Sequence, residues 1–130
     1  MSIAENLAQV KARVAAAARA CGRDENDILL IGASKMNDAD TVREAIAAGL
    51  PACGENRVQE LRDKNALGAY EGAELHFIGT LQKNKVKYII DKVAMIHSLD
   101  SLSLAAEIEK QAAKHDLVMD VLVEINSGME

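Results

Sequence analysis

The 130-residue sequence has no tryptophan, one proline and an aromatic content of only 2%. So few rings leave little from which to build a stacking platform for nucleic-acid bases or a large interface anchor. A basic excess is missing too, because 20 acidic residues against 15 lysines and arginines give a net charge of −5. Polyanion binding rests on clustered Lys and Arg, so the composition argues against nucleic acid as a partner.

Long hydrophobic runs and a cysteine framework are also absent. No apolar stretch approaches the ~20 residues of a membrane helix, and no hydrophobic leader follows Met1. Cys21 and Cys53 have no CxxC spacing, which is typical of a reducing compartment and indicates no metal site. The absences predict a cytoplasmic globular protein without a membrane interaction.

Strand patterns alternate with helix patterns along the chain. An amphipathic helix is predicted over residues 2–21, with a Ser2–Glu5 capping box and Gly22 as its stop. Strands are predicted at 28–33, 50–53, 75–78, 93–97 and 119–125, and helical patterns at 38–48, 57–66, 84–91 and 101–115. The first strand is expected to be buried on both faces, and Asp100 to cap the last helix. The alternation predicts an α/β fold with a parallel sheet, in a single domain of residues 1–130.

Polar residues follow the predicted strands, where parallel α/β folds gather their functional groups. Lys35 follows the first strand and the Gly54-Glu55-Asn56 segment closes the second. A lysine amine condenses with aldehydes once it is deprotonated, and partial desolvation against an apolar strand favours the neutral amine. On spacing alone, a lysine that only marks the return of the chain to solvent is the favoured interpretation. The carboxylates Glu55, Glu60 and Glu124 lie on separate predicted elements and are interpreted as solvated surface groups.

Several ordered blocks make the sequence similar to a known family. They are Ala33-Ser34-Lys35, Gly54-Glu55-Asn56-Arg57-Val58-Gln59-Glu60-Leu61, His76-Phe77-Ile78-Gly79, Leu81-Gln82-Lys83-Asn84-Lys85, His97-Ser98-Leu99-Asp100-Ser101, and residues 121–126. In these blocks the chain resembles the pyridoxal phosphate homeostasis protein family, also called the YggS or PROSC family, whose fold is related to the barrel domain of alanine racemase. The resemblance implies a partial (β/α) TIM-type barrel of about five parallel strands with flanking helices and an extra N-terminal helix.

The resemblance also implies a function and its residues. It implies binding of pyridoxal 5'-phosphate in intracellular cofactor homeostasis, with the cofactor held as a Schiff base on Lys35 and no established catalytic reaction. Asn56 is carried over as a neighbour of the cofactor ring. His76 is the third cofactor-binding candidate, with a core histidine as the alternative. Position 57 is usually aromatic in the family and is Arg57 here, a departure that puts the contact there in doubt.

The family extends beyond this length and takes its phosphate-binding groups from later strands. The chain is therefore expected to be a truncated, N-terminal part of an eight-stranded barrel, which typically needs ~200 residues or more. Two open sheet edges predict self-association. The apoenzymes that would accept the cofactor are not indicated.

Three alternatives remain beside the cofactor carrier. One is a pyridoxal phosphate enzyme of the racemase or decarboxylase type. The sequence gives it little support, because no tyrosine follows a strand where a second acid or base is needed: Tyr70 is assigned to a loop and Tyr88 to a helix. Another is a structural half-barrel that binds the cofactor only after assembly with its missing part. The third is an unrelated parallel α/β domain with an incidental lysine.

Overall fold

The computed structural model describes residues 2–128, and within them the chain forms one five-stranded parallel sheet. The strands are β1 Ile31–Ala33, β2 Ala52–Glu55, β3 Glu74–Phe77, β4 Met95–Leu99 and β5 Asp120–Val123. Their order in the sheet is their order in the chain, β1-β2-β3-β4-β5. Sequential parallel pairing is the topology of consecutive β/α units, and the α/β prediction is confirmed.

Helices connect the strands. They are α1 Ile3–Ala20, α2 Ala39–Ala47, α3 Val58–Ala66 and α4 Leu102–Lys114, with 3₁₀ helices at Glu25–Asp27 and Lys83–Tyr88. α1 begins where predicted, because the Ser2 hydroxyl accepts a hydrogen bond from the Glu5 amide at 3.1 Å. It ends at Ala20, and Gly22, two residues further on, has a φ of 74° in the left-handed region that glycine adopts without strain.

Three local predictions are wrong. The strand predicted over 28–33 begins only at Ile31 and is not buried on both faces, because it is an edge strand with an exposed Ala33. A continuous apolar run does not distinguish an edge strand from a central one. Asp100 does not cap α4; the hydroxyl of Ser101 accepts from the Leu104 amide at 3.1 Å.

The connection between β3 and β4 also differs from the expectation of a regular helix over 84–91. It is a 3₁₀ helix at Lys83–Tyr88. Val86 and Ile89 are both fully buried in the core. Their separation of three residues matches the repeat of a 3₁₀ helix.

The two faces of the sheet have different surroundings. On one face, which we call the helix-covered face, Cys53, Leu75, Phe77 and Ile96 pack with Leu61 of α3 and with residues of α2 and α4 in one core cluster. The opposite face, which we call the open face, carries a cross-strand row. That row is Ala33, Gly54, His76, Met95 and Asp120, each paired with the next.

The residues two positions beyond that row continue the open face, because side chains alternate along a strand. They are Lys35, Asn56, Ile78 and His97. A Cβ built on Gly54 would lie 2.8 Å from the Ile78 side chain and 3.1 Å from that of Ile31, so these residues share one face. The carboxyl edge of the open face therefore collects the candidate groups.

Candidate functional site

Lys35 lies in the loop between β1 and α2. The Asn37 amide donates to the Ser34 carbonyl at 3.2 Å, which closes a turn with Lys35 and Met36 as its central residues. Met36 has a φ of 64°. A positive φ at the third position is typical of a type II turn, where glycine is the usual residue. The turn presents Lys35 exposed to solvent at its tip.

A buried polar network lies beneath this turn, on the helix-covered face. The carboxylate of Glu55, 0% exposed, is its centre. Its Oε2 atom accepts hydrogen bonds from the Ser34 hydroxyl at 2.7 Å, the Tyr70 hydroxyl at 2.7 Å and the Lys64 ammonium at 2.9 Å. Burial, and then the hydrogen bond to Glu55, raise the pKa of Tyr70. Three donors on one oxygen compensate much of the cost of burying the charge.

Lys64 joins this network to a second carboxylate. Its ammonium lies 2.8 Å from Oε2 of Glu60 and donates to the Ser34 carbonyl at 2.7 Å. The same Glu60 oxygen accepts from the Met36 amide at 2.6 Å. Burial alone would lower the pKa of Lys64, but its contacts with Glu60 and Glu55 outweigh burial and raise that pKa. Burial alone would raise the pKa of Glu60, but its hydrogen bonds with Lys64 and the Met36 amide outweigh burial and lower that pKa.

Two histidines meet on the open face. Nδ1 of His76 lies 2.8 Å from Nε2 of His97, and Nε2 of His76 lies 3.3 Å from a carboxylate oxygen of Glu74. His76 is buried, whereas His97 is half-buried. Burial, followed by the charge of His76, lowers the pKa of His97. The pair is a hydrogen-bonded unit able to hold or pass a proton.

The three candidate residues fall at different depths of the open face. Lys35 and Asn56 lie at the ends of the paired strands β1 and β2, whereas His76 lies one row deeper. The desolvated setting expected for Lys35 is not present, because β1 is an edge strand and the residue is exposed. The burial of His76 agrees with the alternative interpretation as a core histidine, but its ring nitrogens make polar contacts rather than apolar ones.

Asn56 has an unused polar atom. Its Oδ1 is buried and has no hydrogen-bond partner among residues 2–128. Asn56 also lines a cleft of about 340 Å³, whose lining includes Arg57, Arg62 and Lys85 and no carboxylate. A buried oxygen without a partner calls for a ligand or a water molecule. This end of β2 therefore suits a ligand that donates a hydrogen bond to Asn56.

Two parts of this arrangement were not expected from the sequence. Glu55 and Glu60, predicted to be separate solvated carboxylates, both bind Lys64. The hydroxyl of Tyr70, a residue predicted to lie in a loop away from any site, reaches the end of β2. The i, i+4 spacing of Glu60 and Lys64 on α3 could have predicted their ion pair from the sequence, but no local pattern indicates the contacts of Glu55.

Among residues 2–128, no group of three or more His, Cys, Asp or Glu side chains lies together as a metal site. No helix in this range is both long enough and apolar enough to cross a bilayer.

A parallel sheet whose strands follow one another in chain order is the arrangement of consecutive units in a β/α barrel. Comparison with protein families narrows the class. The model of the alanine racemase N-terminal domain matches residues 2–130, so the chain belongs to that family.

The resemblance predicted from the sequence blocks is confirmed by individual relatives. The chain is 47% identical to the pyridoxal phosphate homeostasis protein of Aquifex aeolicus, over 100% of this chain and 57% of that protein. It is 41% identical to the protein of the same name from Escherichia coli K12, over 98% of this chain and 56% of the relative. PipY of Synechococcus elongatus, solved with PLP bound, matches with a TM-score of 0.77 and 33% identity, over 92% of this chain and 52% of PipY. The chain thus spans little more than half the length of these relatives.

Proposed function

We propose that the chain is part of a protein that binds pyridoxal 5'-phosphate through Lys35 and serves intracellular homeostasis of the cofactor without catalysing a reaction. The observation that carries the proposal is the exposed Lys35 at the carboxyl edge of the open face. Lys35 would hold the cofactor, which would supply an aldehyde for condensation with the Lys35 amine and release of one water molecule.

The neighbouring residues fit such a ligand. The unpartnered Oδ1 of Asn56 is suited to accept a hydrogen bond from a polar group of the ring. The cationic cleft beside it, with Arg57 and Lys85, is also lined by Phe77 of the helix-covered face, so we do not propose it as the phosphate site. His76 stays the third proposed residue; because His97 and Glu74 occupy its ring nitrogens, we propose that it acts through His97.

Adduct mapping tests the proposal. The purified chain is mixed with pyridoxal phosphate, its absorbance is recorded, and the mixture is reduced with borohydride and digested for peptide mapping. We expect imine absorbance and a reduced adduct on Lys35. Lys35→Ala abolishes both, whereas Lys83→Ala, which removes an exposed lysine of the 3₁₀ helix after β3, retains them. An adduct on another lysine with Lys35 unmodified overturns the assignment.

A pyridoxal phosphate enzyme of the racemase or decarboxylase type is the second candidate, and the His76–His97 pair is what favours it. A hydrogen-bonded imidazole pair on the open face could move a proton at a substrate carbon. Tyr70 does not support this candidate, because its hydroxyl is turned to Glu55 on the helix-covered face. Loaded protein incubated with single-enantiomer amino acids separates the two: racemised or decarboxylated product rejects the carrier proposal.

We also propose that residues 1–130 act as one unit, the N-terminal part of a (β/α)8 barrel, and that this unit self-associates. The single core cluster supports one unit, and the unpaired outer edges of β1 and β5 support association. Light scattering over a wide concentration range tests it, and a constant monomer mass contradicts it. If cofactor binds only to the assembled form, the half-barrel alternative is correct.

The proposed location is the cytoplasm. Cys21 is exposed and Cys53 is buried, and neither forms a disulfide. Unpaired thiols are typical of a reducing compartment. Fractionation of cells that express the tagged chain tests the proposal, and recovery outside the cytoplasm rejects it.

A further inference from the structure

We propose that the Lys64–Glu60 ion pair is a clamp that fixes the backbone on both sides of Lys35 and so positions its amine for condensation with an aldehyde. The inference rests on the proposed function of Lys35 and adds two positioning residues to it. Neither residue is placed in contact with the cofactor.

The two members of the ion pair bind the two peptide groups that flank Lys35. Lys64 donates to the Ser34 carbonyl, which belongs to the preceding peptide, at 2.7 Å. Glu60 accepts from the Met36 amide, which belongs to the following peptide, at 2.6 Å. Because the two side chains are themselves paired at 2.8 Å, the peptides are held relative to each other as well as to α3.

The turn needs such an anchor. Met36 adopts a φ of 64°, which is uncommon for a residue with a side chain and is maintained only when surrounding contacts impose it. Its side chain is 89% exposed, so side-chain packing does not impose the conformation. Two hydrogen bonds hold it instead: that of the Met36 amide to Glu60, and that of the Asn37 amide to the Ser34 carbonyl.

The clamp is in turn fixed to the sheet. Glu55, in β2, binds Lys64 at 2.9 Å and the Ser34 hydroxyl at 2.7 Å through the same oxygen. The buried Tyr70 donates to that oxygen too. The position of the Lys35 turn is therefore tied to β2 and α3 rather than to the turn sequence alone.

Glu60→Leu is the variant that tests the clamp. The Glu60 side chain is 21% exposed, and Lys64 keeps Glu55 as a partner, so the variant is expected to fold. Glu107→Leu is the matched control, because Glu107 is a partly buried helical glutamate that binds a side chain four residues later, Gln111, at 2.7 Å. Two rates are measured on the full chain: amide hydrogen exchange at Met36, and trapping of pyridoxal phosphate on Lys35 by borohydride.

We expect Glu60→Leu to speed exchange at Met36 by about tenfold or more and to slow trapping at Lys35 several-fold, while Glu107→Leu changes neither. Adding Met36→Gly to Glu60→Leu removes the backbone strain and restores part of the trapping rate, which a general loss of stability would not do. Unchanged exchange and trapping in folded Glu60→Leu overturn the clamp. If the parent chain forms no adduct at Lys35, the proposed function fails, and exchange at Met36 still decides whether the ion pair fixes the turn.

Discussion

The helix-covered face and the open face of the sheet differ in the residues that they carry. Leu61, Phe77 and Ile96, packed on the first, are fully buried, whereas Leu122, whose position in β5 assigns it to the second, is 48% exposed. The open face instead carries Lys35, Asn56 and the histidine pair. Apolar burial is the dominant favourable term in folding. Stability is therefore concentrated on one face, which leaves the other free to carry polar and reactive groups.

The largest difference between the faces is expected for apolar truncations. Phe77→Ala removes a fully buried ring and should lower the free energy of unfolding by about 4 kcal/mol. Leu122→Ala, at a half-exposed position, should lower it by about 1 kcal/mol or less. Urea denaturation monitored by circular dichroism gives both values. Equal losses would mean that the open face is packed as tightly as the covered one.

A smaller loss is expected where a charge is buried beneath the covered face. Lys64→Met leaves Glu55 without its cation and should cost about 3 kcal/mol, because breaking a buried pair strands the remaining charge. Lys92→Met is the control: its pair with Asp91 has side chains 29% and 44% exposed, so the loss should stay below about 1 kcal/mol. The same denaturation series measures both. A Lys64→Met chain as stable as the parent would show that the network contributes no net stability.

The same contrast shows what the sequence could predict. Local signals sufficed for the Ser2 cap, the β/α alternation and the lysine at the end of β1, because each depends on residues near one another in the chain. Glu55 was not recognised, because its partners Ser34, Lys64 and Tyr70 come from three other segments. An apolar run such as 28–33 likewise does not reveal that its strand lies at an edge. The contacts that fix the Lys35 turn are tertiary, so they required the fold.

The smallest effect is expected from the open face, through His97. Its pKa in the folded chain is lowered by burial and then by the charge of His76, with Glu74 on the far side of His76. The unfolded chain, with a histidine pKa of about 6.5, therefore binds more protons in the interval below that value. The contribution of neutral His97 to the free energy of unfolding is therefore fully present above about pH 6.5, and it is lost as the pH falls through the pKa of His97 in the folded chain.

His97→Gln should accordingly flatten the fall of the unfolding free energy below about pH 6.5. Glutamine retains hydrogen-bonding groups for His76 but does not titrate. Urea unfolding repeated across the pH range measures the slopes. If His97→Gln and the parent lose stability in parallel, protonation of His97 does not cause the acid sensitivity. The carboxyl groups with a lowered pKa, Asp38, Glu60 and Asp91, are then its source.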